Sequence, residues 1–395
     1  MELKKSRRAD KAGVYFHIPF CKQACHYCDF HFVTSLKHKT DMLDAMAHEM
    51  TMQHAAGFLP ESSKIGSIYF GGGTPSILEA AEINRLIEQV FSLYDSSEIQ
   101  EITLEANPDD LTAQQIAALK QTGINRFSIG IQSFFDEDLQ WMNRAHRAEE
   151  AESALKRVQD AGFSTITADL IYGYPLLSDE KWHYNIRRLI DLGVPHISAY
   201  GLTVEPRTAL GHQVKKGREQ AMDEEQSASQ FEYLMDTLAQ QGYGHYEISN
   251  WAKPGFEAVH NGNYWKGMPY LGVGPSAHSF NGQQLRQWNI SNNARYVKSL
   301  QEGVLDFEAE ELSPRDRVNE YIMPSLRTAW GLNPTWVEAN IGAFYMEELL
   351  SSLSKLQDQG LASSHRTQQG SPPIFTLTRS GKLMADRIAS DLFFE

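Results

Sequence analysis

All three cysteines of the 395-residue chain, Cys21, Cys25 and Cys28, lie within the eight-residue stretch CKQACHYC. An odd number leaves no complete disulfide scheme. Thiolates at spacings of four and three can instead cup one face of an iron–sulfur cluster. A cubane held by three thiolates leaves one iron open to a ligand that reacts. Unremarkable free thiols would more often be scattered through cores.

GGGTPS, residues 71–76, is the second chemical signal. Glycines without a Cβ let backbone N–H and C=O groups approach a ligand, although such runs also serve as plain tight turns. A cluster with an open iron, beside such a ledge and carboxylates, suits a small zwitterionic ligand carrying a sugar.

The elements that must position these groups alternate over the first 200 residues. Strands are expected at 14–19, 67–70, 101–106, 126–132, 165–172 and 196–202, being short, apolar and β-branched. Amphipathic helices are expected at 38–52, 79–93, 112–121, 148–159 and 182–191. That is an α/β pattern of βα units, an open sheet or an incomplete barrel. Both place ligands at the carboxyl ends of the strands. Unusual polar residues fall at those ends: His17 and the cysteines, the glycine run, Glu105 with Asn107, Gln132 with Ser133, Asp169, and Tyr200. Singly, a carboxylate there is often only a helix cap. Together they read as one site on one rim.

Composition bounds the rest. With 36 basic and 50 acidic residues the net charge is −14, which argues against a general nucleic-acid binder. No apolar run approaches the roughly 20 residues that span a bilayer. MELKKSRRADKAG is basic but has no apolar segment after it, so no secretory signal is expected. Retained thiols point to a reducing, cytoplasmic compartment.

CxxxCxxC after the first strand and GGGTP after the second resemble the radical S-adenosylmethionine (SAM) proteins. YFHIPFCKQACHYCDF, LEANPDD, SIGIQSF, MNRAH, DLIYGYP and SAYGLTVEP follow one another as in the HemN/HemW group. The resemblance implies an incomplete (β/α)6 barrel with a small helical, winged-helix-like C-terminal domain. It implies a [4Fe–4S] cluster on Cys21, Cys25 and Cys28, with SAM on the fourth iron. Carried over by position, the SAM contacts would be Tyr15, Tyr27, Gly72, Gly73, Thr74, Glu105, Gln132, Arg144, Asp169 and Gly201.

The group holds oxygen-independent coproporphyrinogen III oxidases, which decarboxylate propionates by 5′-deoxyadenosyl radical chemistry, and heme chaperones, which hand heme to client, including respiratory, hemoproteins. Three features resemble the chaperone branch. Phe30 stands where the oxidases continue to a fourth cysteine, only 14 residues precede Tyr15, and His260–Trp265 reads HNxxYW. A radical SAM enzyme with another substrate stays open, as do a homodimer and peripheral contact with a membrane. His260 can offer a neutral imidazole to heme iron beside two aromatic rings, or belong to a structural loop. His26 and His146 suit hydrogen bonding near the cluster.

The expected divisions are a partial barrel at 1–250, a connecting segment at 251–312 and a C-terminal domain at 313–395. Residues 213–241 read as helical, 244–255 as including a strand, and 270–280 as a glycine-rich cover for the barrel mouth. Asn281-Gly282 reads as a hairpin turn.

Overall fold

The computed structural model describes residues 11–366 and 372–395. The basic stretch at 1–10 lies outside them. Six strands form the parallel heart of the sheet: β1 (Lys11–Ile18), β2 (Lys64–Gly72), β3 (Glu101–Ala106), β4 (Arg126–Gln132), β5 (Ile166–Tyr172) and β6 (His196–Gly201), adjacent in chain order. On the far side of β6 lies an antiparallel pair, β7 (Gly244–Glu247) and β8 (Asn250–Ala252), with β8 next to β6. On the far side of β1 come β9 (Tyr270–Val273), β10 (His278–Phe280), β11 (Leu285–Asn289) and β12 (Phe307–Glu311). The parallel curve is therefore not closed on itself, and its two edges differ.

Alternation along the six strands separates two environments. Val14, Phe16, Ile68, Phe70, Ile102, Leu104, Phe127, Ile129, Ala168 and Ile197 pack outward into the main core. The alternate residues, among them Tyr15, Ser67, Tyr69, Glu105, Arg126, Ser128, Asp169 and Ser198, are polar. The helices carry matching apolar stripes. Helix Ala80–Leu93 buries Ile83, Leu86, Ile87 and Val90, and its start is fixed by a Glu79–Glu82 capping box. Helix Asp179–Asp191 buries Trp182, Ile186 and Leu189, and Ser178 caps it.

A second, smaller core runs from Val318 to Leu392. Helices Pro314–Arg327, Pro334–Asn340 and Ala343–Asp358 surround it with the ribbon β13 (Ala362–His365) and β14 (Ile374–Leu377).

Three local expectations are corrected. Residues 213–241 are not one helix: Ala209–Lys215 and Glu224–Gln240 are separate, and Gly217 turns the chain between them at φ +66°. HNGNYW is not a loop but most of helix Val259–Trp265. The 270–280 stretch does not cover the mouth: β9 pairs in parallel with β1 and extends the sheet. The hairpin is present, with the Asn281 side chain accepting from the backbone N–H groups of Gln283, Gln284 and Leu285.

Candidate functional site

The carboxyl ends of the six strands surround a cavity of about 480 Å³. Cys21, Cys25 and Cys28 border it on the loop leaving β1. Backbone bonds Cys21 N–H to Val33 O (3.0 Å) and Val33 N–H to Pro19 O (2.9 Å) close the loop at its base. Its far side is tied to the segment after β4. The His26 N–H reaches Met142 O (3.1 Å), the His26 Nδ1 donates to Trp141 O (2.9 Å), and the Asn143 amide donates to Ala24 O (2.7 Å). Asn143 sits at φ +57°, a conformation asparagine tolerates.

The glycine run passes beneath this loop. Gly73 N–H bonds Ile18 O (2.8 Å) and Thr74 N–H bonds Phe20 O (2.7 Å). A Cβ on Gly73 would fall 2.6–2.8 Å from three backbone atoms of Ile18 and Phe20, so only glycine permits the crossing. The Thr74 hydroxyl donates to Cys21 Sγ at 3.4 Å.

Arg144 is the cationic centre. Its Nη1 lies 3.4 Å from Cys25 Sγ, and its Nη2 donates to Asn107 Oδ1 (2.6 Å) and Gly130 O (3.0 Å). Gly130 makes room for it, since a Cβ there would meet Nη2 at 3.0 Å. The Arg144 Nε is buried without a hydrogen-bond partner.

Two carboxylates face the cavity from β3 and β5. Glu105 accepts from the Tyr69 hydroxyl at 2.7 Å, and Ser128 lies 3.4 Å from Asp169. Burial pushes Glu105 up to about 7, with the Asp169 charge adding to it. Burial likewise raises Asp169 to about 6. Two carboxyls driven upward in one cavity favour a ligand that brings positive charge and hydroxyl groups.

The thiols fit a cluster by the same logic. Burial raises Cys28 to about 11 and raises Cys21 as well. Holding all three as thiolates requires positive charge, which an iron core supplies. Hydrogen bonds to the sulfurs, as from Thr74 and Arg144, are a known lever on cluster electronics. Among the described residues no three His, Cys, Asp or Glu side chains converge on a single ion point. The thiols border one space instead.

Of the residues expected here from the sequence, Tyr27, Gly72, Gly73, Thr74, Glu105, Gln132, Arg144, Asp169 and Gly201 line this cavity together with the cysteines. Gln132 adopts φ +64° at the register shift between β4 and β5. Tyr15 sits deeper, its ring 6.0 Å from that of Tyr69. His260 is not brought to the thiols. It lies at the amino ends of β1 and β2, its Nδ1 3.0 Å from the Ser67 hydroxyl. His146 is buried and bonds Ile131 O (3.1 Å). Tyr69 against Glu105, Ser128 and Ser198 against Asp169, and Asn107 against Arg144 join the site beyond the contacts expected from the sequence. Tyr69, Ser128 and Ser198 carry a legible signal, polar residues recurring at every second position of strands whose other face is apolar.

A model of the radical SAM superfamily matches residues 15–201. The chain is 32% identical to the heme chaperone HemW of Bacillus subtilis over 95% of its own length and 97% of that protein's. It is 32% identical to the HemW of Escherichia coli over 80% of this chain and 82% of that one. Among solved structures, the Escherichia coli coproporphyrinogen III oxidase HemN, a radical SAM enzyme, superposes with a TM-score of 0.81 at 23% identity, covering 98% of this chain and 91% of that one. That superposition speaks for the fold, a radical SAM α/β sheet that is open rather than closed. The radical SAM family implies a [4Fe–4S] cluster and SAM, and the sustained identity over nearly the whole of both chains settles the narrower question: this chain belongs to the HemW heme-chaperone family of radical SAM proteins.

Proposed function

We propose that this protein binds heme, holds a [4Fe–4S] cluster on Cys21, Cys25 and Cys28 with SAM on the open iron, and passes heme to client hemoproteins, including respiratory ones, in the cytoplasm. The observation that carries the cofactor part is the cavity itself, lined by the three thiols together with Glu105 and Asp169. Such a cluster, when loaded, supplies one-electron reducing power to bound SAM. This chain's residues orient and shield that pair. Arg144 would take SAM's carboxylate with its spare Nε, Glu105 and Asp169 would accept from its amino and ribose hydroxyl groups, and Gly72 and Gly73 would present backbone groups beside it. Tyr27, Thr74, Gln132 and Gly201 complete the enclosure, with Tyr15 behind it against Tyr69.

The chaperone part is supported by the names of the relatives and by Phe30. Its ring is 71% exposed on the lip of the cavity, where a fourth thiol would otherwise follow the third. An exposed aromatic beside the cluster loop offers a macrocycle an apolar face. Among the described residues no helix is long and apolar enough to cross a membrane, so contact with membrane-bound clients would be made from the surface. The whole-chain likeness to HemN favours a second reading, a porphyrinogen-oxidising enzyme. Heme transfer separates them. Heme-loaded protein mixed with an apo-cytochrome should lose its absorbance band as the cytochrome's appears, and heme retained throughout would oppose the chaperone reading.

A further inference from the structure

The HNGNYW histidine stands at the floor of the barrel, and what it touches leads upward to the site. The His260 ring lies 5.0 Å from the ring of Tyr69 at 30°, and Tyr69 in turn stacks on Tyr15 at 6.0 Å and 27°. Above this stack the Tyr69 hydroxyl donates to Glu105 Oε1 at 2.7 Å. Below it, Ser67 holds the His260 Nδ1 at 3.0 Å. Glu101 accepts the backbone N–H groups of Val259 (2.8 Å) and His260 (2.9 Å), which fixes the helix that presents the imidazole.

Two glycines show that the stack is built into the sheet. A Cβ on Gly13 would sit 3.0 Å from His260 Cε1. A Cβ on Gly71 would sit 2.9 Å from Tyr69, 3.0 Å from Tyr15 and 3.1 Å from Glu105 Oε1. Both strands give up a side chain where these groups converge. Burial lowers the His260 pKa to about 4, so at neutral pH the ring is an uncharged plate rather than a counter-ion. Because Nδ1 is held by Ser67, heme iron would have to be met by Nε2, with the macrocycle accommodated at the barrel floor among Tyr15, Tyr69 and helix Val259–Trp265.

We infer that His260 is a positioning residue for the Tyr69–Glu105 pair, and through it for SAM, rather than the heme ligand of this chain. The inference rests on the proposed placement of SAM beside Glu105. It gives the HNxxYW signature a role in the cofactor site and leaves heme to another surface.

The test uses the full chain, reconstituted anaerobically with iron and sulfide. SAM affinity is read by calorimetry and heme stoichiometry by absorbance. Tyr69→Phe should weaken SAM by about tenfold, the scale of one hydrogen bond to a charged group. His260→Ala should weaken SAM by about as much and leave heme stoichiometry unchanged. In the double variant the two effects should fall well short of adding, because both act on one carboxylate. A merely structural role would give additive losses. Gly13→Ala pushes on the ring without removing a polar atom. It should also weaken SAM with heme unaffected, and it replaces His260→Ala if that variant does not fold. The inference is overturned if His260→Ala removes heme while SAM affinity stays within about twofold, or if the losses add. If the wild-type protein takes up no heme at all, the chaperone reading fails, and the SAM measurements still decide the role of His260.

Discussion

Replacing Glu101 by alanine tests how the barrel floor is held. Glu101 is buried 3.6 Å from Arg126, whose side chain is 2% exposed. Arg126 also donates to Thr167 Oγ1 (2.9 Å) and to Phe256 O (3.1 Å), so its guanidinium cannot swing out to water. Both carboxylate oxygens are already taken by the backbone of helix Val259–Trp265. Glu101→Ala therefore leaves a desolvated cation without its partner, and breaking a buried pair in this way costs about 3–5 kcal/mol. Against a total stability of about 5–15 kcal/mol for a domain, the loss is large. It should appear as a lower urea midpoint in tryptophan fluorescence. The amides of residues 259–265 should exchange faster than those of the outer helices, because that helix loses the carboxylate that holds its first turn. The double variant Glu101→Leu with Arg126→Met should recover much of the loss, since an apolar pair of similar volume often matches a buried ion pair. A cost for Glu101→Ala below about 1 kcal/mol, the range of an exposed pair, with unchanged exchange at 259–265, would refute the reasoning.

Further outcomes follow from the same contacts. Gly73→Ala should lose most of its iron and sulfide on reconstitution, because its Cβ cannot clear Ile18 and Phe20; a full complement by elemental analysis would contradict the crossing described above. Cys25→Ser should likewise fall to a small fraction of wild-type iron, while heme uptake persists if heme binds away from the cluster. Glu49 joins helix Lys39–Ala55 to the far end of the sheet, accepting from Tyr296 (2.5 Å), Asn289 (2.6 Å) and Gly274 N–H (2.9 Å). Burial raises Glu49 from 4.5 to about 7, so the folded state holds its proton more tightly than the unfolded chain. That contribution is fully present below about 4.5 and is lost as pH rises through about 7, at up to about 1.4 kcal/mol per pH unit. Comparing urea midpoints across that window with those of Glu49→Gln should show a flatter profile in the variant, and parallel profiles would contradict this. Phe30→Ser, at an exposed position, should change stability by no more than about 0.5 kcal/mol in thermal unfolding, yet weaken heme uptake.

Much of the barrel was legible because its strands face two environments. EITLEA and RFSIGIQ have the expected bounds, and the other four core strands differ by at most three residues at either end. Glu105 and Gln132 stand at strand ends, where any parallel sheet gathers its polar groups, whereas Asp169 lies in the middle of β5. The same alternation, read on the inner face, also points to Ser67, Tyr69, Ser128 and Ser198. What the sequence hides is tertiary. YLGV has no alternating pattern, and its partner β1 lies some 250 residues earlier, so its place at the sheet edge depends on a pairing that no local signal announces. HNGNYW has poor helix formers, and its helix exists because Glu101 holds the first turn. The loop reading of that segment also hid the fate of His260, since an imidazole on a free loop could have reached the mouth and one on this helix cannot.

The proposal that this chain binds heme rather than oxidising porphyrinogen meets its most direct test in one anaerobic preparation. Protein reconstituted with iron and sulfide is given reductant, SAM and coproporphyrinogen III, with products read by mass spectrometry. A parallel sample is titrated with heme by absorbance. Stoichiometric heme binding with no protoporphyrinogen formed is the predicted result. Decarboxylated product would contradict the account and make Phe30 a tolerated variation in a working oxidase.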